Sequence, residues 1–456
     1  MLQRLKSLLR DTHPLRLLYH KLKAMAATLL SGWPAKKLTV ICITGTDGKT
    51  TTVAMTAHIL HHAGKTVGAS SSAFFEVNGK REHNPTQKTT VPPFALQRFL
   101  KRLVHENCEF AVLESSSHGL LQGRLWGIQP VVAAITNISQ EHLDYHGTMG
   151  EYIRAKGLLF KALKGEGMKV LNKDDATYEA YGKIPSDHTV TYSPSGNTQS
   201  DLWMTNVHAS PEGCTAHVHH HDEEADLHLS IPGIFNLANA LTAIGCCVSV
   251  GIPFQECVTA LTTFRGAPGR MEKIEEGQPF TVLIDFTVTP AAYEATLKSV
   301  TAMKRPGSRI LVLTGSCGDR MKEKRPVVGK LCSDYADVVV VSNEDPYTED
   351  PMKIIDDVFT GIRQNLPTID VSSLANPPHT AFAVKIPDRL SAIRFLLQHA
   401  KPDDIVLLCG KGGDVTMWTK EGRIPWDEEE IVREELRREG RNQKAENMNR
   451  KLTTDY

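Results

Sequence analysis

Ile43-Thr44-Gly45-Thr46-Asp47-Gly48-Lys49-Thr50-Thr51-Thr52 is the stretch on which the reading of this chain turns. A short β-branched run, residues 38–44, leads into it, and residues 50–63 lead out with helical periodicity. A glycine-rich string between a strand and a helix is a phosphate loop. Its glycines let backbone N–H groups approach phosphate oxygens, and the helix N-terminus adds positive potential. Lys49 is suited to the β- and γ-phosphates, and Thr50 or Thr51 to Mg²⁺. The strict Walker spacing needs its first glycine at Ile43, whereas here it falls at Gly45, so the match is to the Gly-Lys-Thr end alone. Gly45, Thr46, Asp47, Gly48, Lys49, Thr50 and Thr51 are therefore the expected nucleotide contacts.

Working outward, residues 110–113 and 131–136 read as further buried strands with helical stretches between them, the alternation of a mostly parallel sheet covered by helices. Residues 189–229 alternate in character and are rich in histidine, which predicts antiparallel strands at a sheet edge. The His217, His219, His220, His221 cluster reads as an exposed polar strand face rather than a metal site. A second α/β unit starts near Arg270, with strands over 281–285, 309–314, 338–342 and 405–409. Ahead of the loop, residues 1–37 carry Arg4, Lys6, Arg10, Arg16, Lys21, Lys23, Lys36 and Lys37 against the single acid Asp11. Leu5, Leu8, Leu9 and then Leu15, Leu18, Leu22, Met25 and Leu29 recur at helical spacing, with Pro14 expected to separate two helices. This arm either packs on the main body, the favoured reading, or rests on an anionic membrane surface. The expected organisation is an arm (1–37), a central nucleotide-binding α/β domain of P-loop ATPase type (38–268), and a Rossmann-like C-terminal α/β domain with a polar helical tail (269–456).

A chain of 456 residues is too long for one core. Its formal net charge of zero gives no reason to expect a nucleic-acid partner. Nine scattered cysteines without a C-x-x-C pair suit reduced thiols, and no signal peptide or membrane span is evident, so a cytoplasmic location is expected.

Further strings narrow the chemistry: Glu114-Ser115-Ser116-Ser117-His118, the run from Thr136 to Asp144 containing Glu141-His142-Leu143-Asp144, Lys156 within 152–160, Pro232 to Asn239, Pro268-Gly269-Arg270-Met271-Glu272, and Gly318-Asp319-Arg320 followed by Lys324-Arg325-Pro326. In this order, together with the shifted loop glycine, they resemble the Mur ligase superfamily, and within it the ligases that add the third peptide residue to a muramyl peptide. The resemblance implies an ATP-dependent ligase that activates a carboxylate as an acyl phosphate and lets an amine attack it. Such chemistry depends on cations and alignment. It implies Lys49, Glu114, His142 and Lys156 as catalytic residues and Thr50, Glu114, His142 and a carbamylated Lys156 as Mg²⁺ ligands. Asn236, Asn239, Arg270 and Asp285 would contact ATP. Thr89, Thr90, Ser116, Ser117, Gln122 and Arg124 would hold the muramyl-peptide acceptor, and Glu344, Asp345, Tyr347, Lys411 and Asp414 the free amino acid. A monomer is expected, with peripheral membrane contact through the arm as the alternative to its packing on the main body.

Three departures from that family's pattern stand out. The short arm precedes the phosphate loop where the tripeptide-adding ligases carry a uridine-binding domain, which opens a lipid-linked acceptor as an alternative to a UDP-linked one. Asp285-Phe286-Thr287-Val288-Thr289-Pro290 lacks the histidine of Asp-Tyr-Ala-His-Thr-Pro. Glu344-Asp345-Pro346-Tyr347 stands for the Asp-Asn-Pro-Arg of diaminopimelate-adding members, and Gly410-Lys411-Gly412-Gly413-Asp414 for Gly-Lys-Gly-His-Glu. The acids at 344 and 345 would favour a cationic amine such as lysine or ornithine. Two rivals remain: another amide ligase acting on folate or a polymer peptide, and a nucleotide-binding membrane scaffold without catalysis.

Overall fold

The computed structural model describes residues 12–454 apart from 87, 364, 365, 371, 373–377 and 379, with side chains described up to residue 441. The chain forms two compact units. One comprises residues up to Ala267 except 209–211, and the other comprises those three residues and Pro268 onward.

The first unit is built on an eleven-stranded sheet. Its strands are β1 (Thr39–Thr44), β2 (Val67–Ser70), β3 (Phe74–Val77), β4 (Lys80–His83), β5 (Phe110–Glu114), β6 (Val132–Ile135), β7 (Met168–Asn172), β8 (His188–Ser193), β9 (Leu202–Ser210), β10 (Gly213–His220) and β11 (Glu223–Leu229). They lie in the order β11-β10-β9-β8-β7-β6-β1-β5-β2-β3-β4. β1 runs parallel to both β5 and β6, and its residues from Val40 onward are buried. Burial on both faces is why this strand reads as an unbroken apolar run. Helices Lys49–His62 and Phe235–Val248 cover the sheet, and the second of them is apolar almost all round. The region from 189 to 229 departs from its antiparallel expectation. β8 is parallel to β7 and to β9, and the β10–β11 pair is antiparallel. β8 buries its last three residues, whereas β10 alternates between buried and half-buried positions. The alternating signal belongs to β9 and to the hairpin, not to β8.

Helix Pro14–Leu30 opens the described part of the first unit, with Pro14 as its first residue, where the missing N–H costs nothing. Pro14 thus starts this helix, and the leucines of residues 1–11 lie outside the described residues. The helix is held down by Ala24, Ala27 and Thr28. Thr28 donates to the Trp126 carbonyl and accepts from Gln97. Leu15, Leu18, Leu22, Leu29 and Leu30 stay exposed.

The second unit carries a seven-stranded sheet: β12 (Glu272–Ile274), β13 (Thr281–Asp285), β14 (Ile310–Thr314), β15 (Val338–Val341), β16 (Thr368–Ile369), β17 (Phe382–Lys385) and β18 (Ile405–Cys409), ordered β12-β13-β18-β14-β15-β17-β16. All pairs are parallel except β12–β13. A small hairpin, β19 (Thr416–Thr419) and β20 (Gly422–Pro425), follows. Residues 45–51 follow β1, Glu114 ends β5, Asp285 ends β13, residues 344–347 follow β15 and Lys411 follows β18, all at the strand C-termini where open α/β sheets bind ligands. No described helix is long and apolar enough to cross a membrane.

Candidate active site

The loop after β1 is gripped from both ends. Gly45 has φ +148°, and a Cβ there would stand 1.9 Å from the Thr136 hydroxyl. Gly48 has φ +80°, and a Cβ there would stand 2.1 Å from Asn239 Oδ1. Only glycine fits either place. Thr46 N–H donates to the Asn137 carbonyl (2.8 Å), Asp47 N–H to the Asn137 side chain (3.1 Å), and the Thr136 hydroxyl to the Asp47 carbonyl (2.6 Å). Lys49 folds back to donate to the Thr46 carbonyl at 2.6 Å. Asn239 is buried and donates to Asn236 (3.0 Å), which in turn donates to the Pro232 carbonyl (2.7 Å). Both expected asparagines therefore form one chain of hydrogen bonds ending against the loop. Thr51 is buried in the first turn of the helix that follows.

Glu114 closes β5. Its Oε2 accepts from the Thr50 hydroxyl (3.0 Å) and from Ser72 N–H (2.8 Å). A threonine hydroxyl and a carboxylate in contact beneath a phosphate loop are the hard oxygen donors Mg²⁺ takes. His142, in a left-handed conformation at φ +57°, heads the short helix Leu143–His146. Burial first, then the charges of neighbours including Lys156 and Lys49, push its pKa down to about 2, so the imidazole is neutral and carries a free lone pair. Lys156 projects from helix Met149–Lys161 into a fully buried position. Its Nζ donates to the Gly45 carbonyl and lies 4.6 Å from the Tyr152 ring centre. Burial, reinforced by the Lys49 charge, lowers its pKa well below the ordinary lysine value. That direction favours the neutral amine, the form carbamylation by CO₂ requires. The residues present fit both Mg²⁺ and a carbamate.

The acceptor candidates also assemble. Thr90 is buried and hydrogen-bonds with Ser116 (3.1 Å between hydroxyls), and Ser116 N–H donates to the Thr90 hydroxyl. Ser116 caps helix Ser117–Leu121, while the Ser117 hydroxyl meets His146 Nε2 at 3.0 Å. Arg124 donates from Nε and Nη2 to Gln122 Oε1, and from Nη1 to the Thr90 carbonyl. Gln122 is itself tied to the Tyr145 hydroxyl (3.0 Å). Thr89 is half-buried beside this group.

In the second unit Asp285 ends β13 and accepts from Met271 N–H (2.7 Å) and the Thr287 hydroxyl. Arg270 lies over the Phe286 ring, 4.3 Å from its centre. Lys411 is fully buried, bridging Asp345 (3.0 Å) and the Thr416 carbonyl (2.8 Å), with Asp414 at 3.5 Å. Asp345 also accepts from Trp418 N–H. Its charge is therefore balanced within the protein and is not offered to an incoming amine. Glu344 is buried, accepts from the Cys317 thiol, and has its pKa raised by desolvation. The expectation that these two acids favour a cationic amine thus loses its charge basis at Asp345. Tyr347 stacks on Trp418 at 5.5 Å, and Arg320 faces its ring.

The Mur ligase middle domain family matches residues 43–247, and the Mur ligase glutamate ligase domain family matches residues 269–412. The UDP-N-acetylmuramoyl-L-alanyl-D-glutamate--2,6-diaminopimelate ligase of Geobacillus kaustophilus is 33% identical over 428 residues, covering 91% of this chain and 82% of that protein. The chain belongs to the Mur ligase family. This Mur ligase is also 33% identical to the UDP-N-acetylmuramyl-tripeptide synthetase of Roseiflexus sp., over 91% of the chain and 81% of that protein. A solved structure of a UDP-N-acetylmuramoyl-L-alanyl-D-glutamate--2,6-diaminopimelate ligase superposes with TM-score 0.61 at 28% identity, covering 88% and 79% of the two chains. As a member of the family it is an ATP-dependent acid–amino acid ligase.

Several neighbours in this Mur ligase site had no sequence signal of their own. Ser72 follows two other serines in a loop, and nothing in that run points to Glu114. Tyr145 and His146 flank His118, with ring centres 3.9 and 5.4 Å away, and the His118–His142 distance is 4.7 Å. The Glu-His-Leu-Asp string drew attention to His142 alone, although the turn that follows brings all four rings together.

Proposed function

We propose that this Mur ligase adds an amino acid, as the third peptide residue, to the carboxylate of a muramyl dipeptide, with ATP consumed through an acyl phosphate. The observation that carries this reading is the pairing of Thr50 with Glu114 beneath the phosphate loop, with buried Lys156 on the Gly45 carbonyl behind it. Thr50, Glu114, His142 and Lys156, the last as its carbamate, would hold Mg²⁺, which would supply charge neutralisation for phosphoryl transfer. Backbone N–H groups of residues 45–49 hold the phosphates, and Lys49 exchanges its bond to the Thr46 carbonyl for a phosphate oxygen. Gln122 fixes one edge of the Arg124 guanidinium, which orients the group toward an acceptor carboxylate together with the Thr90 and Ser116 hydroxyls. Asn236 and Asn239 border the nucleotide. The amino acid is bound among Glu344, Tyr347, Lys411 and Asp414.

The enzyme is cytoplasmic and touches the inner membrane face through helix Pro14–Leu30. In support, Leu15, Leu18, Leu22 and Leu29 form one exposed stripe, and residues 14–37 include five basic residues and no acid. An apolar stripe flanked by cations suits an anionic lipid surface. Flotation with phosphatidylglycerol vesicles, compared with phosphatidylcholine vesicles, tests this. Binding to the former that is lost in a Leu15→Ser, Leu18→Ser, Leu22→Ser variant supports the contact, and no binding to either refutes it.

The catalytic proposal is tested by phosphate release from ATP with Mg²⁺ and a muramyl dipeptide, offered in UDP-linked and lipid-linked forms with lysine, ornithine, diaminopimelate or neutral amino acids. Release that needs both acceptor and one amine, with the matching tripeptide mass, is the expected result. Release independent of every amine, with ATP binding intact, overturns it in favour of a scaffold or a different ligase.

A further inference from the structure

The β10–β11 hairpin at the end of the eleven-stranded sheet carries chemistry that amide ligation does not use. Four strands, β9, β8, β7 and β6, separate it from β1. In the antiparallel register His217 faces Asp226 and His219 faces Glu224, so all four side chains share one face. His217 Nε2 is 3.4 Å from Glu224 Oε2, and His219 Nδ1 is 3.7 Å from the same oxygen. The other nitrogen of each ring has its own partner. His217 Nδ1 lies 2.7 Å from Asp226 Oδ1, and His219 Nε2 lies 3.4 Å from the Thr205 hydroxyl. Trp203 stacks on the His219 ring at 3.7 Å and fixes its plane. When the outer nitrogens carry the protons, two imidazole lone pairs and a carboxylate oxygen converge on one point with no donor between them. Such a convergence calls for a cation.

We propose that His217, His219 and Glu224 bind a borderline divalent transition-metal ion, of which Zn²⁺ is the best fit, at a site separate from the nucleotide loop. Ligand atoms about 2.0–2.1 Å from a tetrahedral zinc stand roughly 3.3 Å apart. The observed separations from Glu224 need only a small contraction to reach that spacing. Two imidazoles and one carboxylate suit zinc, nickel or cobalt and disfavour Mg²⁺. Asp226 sets the tautomer of His217 as the carboxylate behind a metal-bound histidine does. Glu224 is exposed, so a water completes the shell. His220 and His221, which shared the sequence cluster, take no part: His220 packs against Phe254. The bound ion would join β10 to β11 and fasten the outermost strand of the sheet.

Titration of the full chain with Zn²⁺ in excess Mg²⁺, and with Co²⁺ as a visible-absorption probe, tests the assignment. One ion per chain is expected, with d–d bands of nitrogen–oxygen coordination and a melting temperature about 5 °C higher at saturation. His217→Ala and Glu224→Gln should each weaken binding at least tenfold, and Asp226→Asn about tenfold. Amine-dependent phosphate release in Mg²⁺ should be unchanged in all three, which also reports that the variants are folded. Absence of stoichiometric uptake overturns the proposal. So does uptake that survives His217→Ala and Glu224→Gln together, since the ion then sits elsewhere.

Discussion

Replacing Gly48 by alanine separates two reasons for a glycine in the phosphate loop. The backbone there has φ +80°, which costs an L-residue about 1–2 kcal/mol. The new Cβ would stand 2.1 Å from Asn239 Oδ1, so the amide must turn away and give up its hydrogen bond to Asn236. Losing that buried bond adds about 1 kcal/mol. The sum of about 2–3 kcal/mol predicts a fall in the melting temperature of the first unit of roughly 4–5 °C, given about 2.1 cal/mol/K of unfolding entropy per residue. ATP binding should weaken by at least tenfold, because the displaced loop misdirects its N–H groups. Calorimetry of Gly48→Ala alone and combined with Asn239→Gly resolves the terms. Asn239→Gly by itself also loses the Asn236 bond, so adding Gly48→Ala to it should cost only the backbone part, about 1–2 kcal/mol. Wild-type melting and ATP affinity in Gly48→Ala would refute the reasoning outright. No added cost of Gly48→Ala in the Asn239→Gly background would refute the backbone term.

Lys156→Ala should reduce amide formation by 10²-fold or more while ATP still binds, and added formate or acetate should restore part of the rate by standing in for the carbamate oxygens; equal inactivity with and without added carboxylate counts against a carbamate. Because the folded pKa of His142, about 2, lies below its unfolded value of 6.5, the unfolded chain takes up more protons between those values. Stability should therefore be fully present above pH 6.5 and decline as pH falls below it, with His146, lowered to about 4, adding in the same direction; a urea midpoint unchanged between pH 7.5 and 5 contradicts this. Arg389, buried against Glu428 and bonded to the Asn343 and Cys409 carbonyls, holds the strand ends of the second unit. Arg389→Met should cost about 3–5 kcal/mol by stranding the Glu428 charge, and Arg389→Met with Glu428→Leu should recover much of it, both read from chemical denaturation.

The parallel strands were legible because burial on both faces leaves continuous apolar runs, as in residues 281–285, 338–341 and 405–409. The loop and the residues proposed for magnesium stood out in the sequence because glycine, lysine, threonine and carboxylate types are each required by the chemistry at fixed places. What escaped depended on contacts made at a distance. The 189–229 region read as uniformly antiparallel because β8 and β9 are polar and short of apolar run, although they continue the parallel part of the sheet. The Asp345–Lys411 ion pair escaped because its two members lie 66 positions apart. Ser72 and Tyr145 owe their places to loop geometry, which leaves no periodicity to detect.

The closure of the phosphate loop by Asn239 also bears on synthesis. Gly48 leaves the ribosome long before Asn239 does, and at about 5–20 residues per second the interval over the intervening chain is roughly 10–40 s. Until then β1 and its glycines have emerged without the helix that presses on them, so the nascent chain has a phosphate-binding sequence but no completed phosphate site. Nucleotide can stabilise this protein only near the end of translation of the first unit, and the burden of keeping β1 soluble until that moment falls on the chain itself and on whatever chaperone meets it.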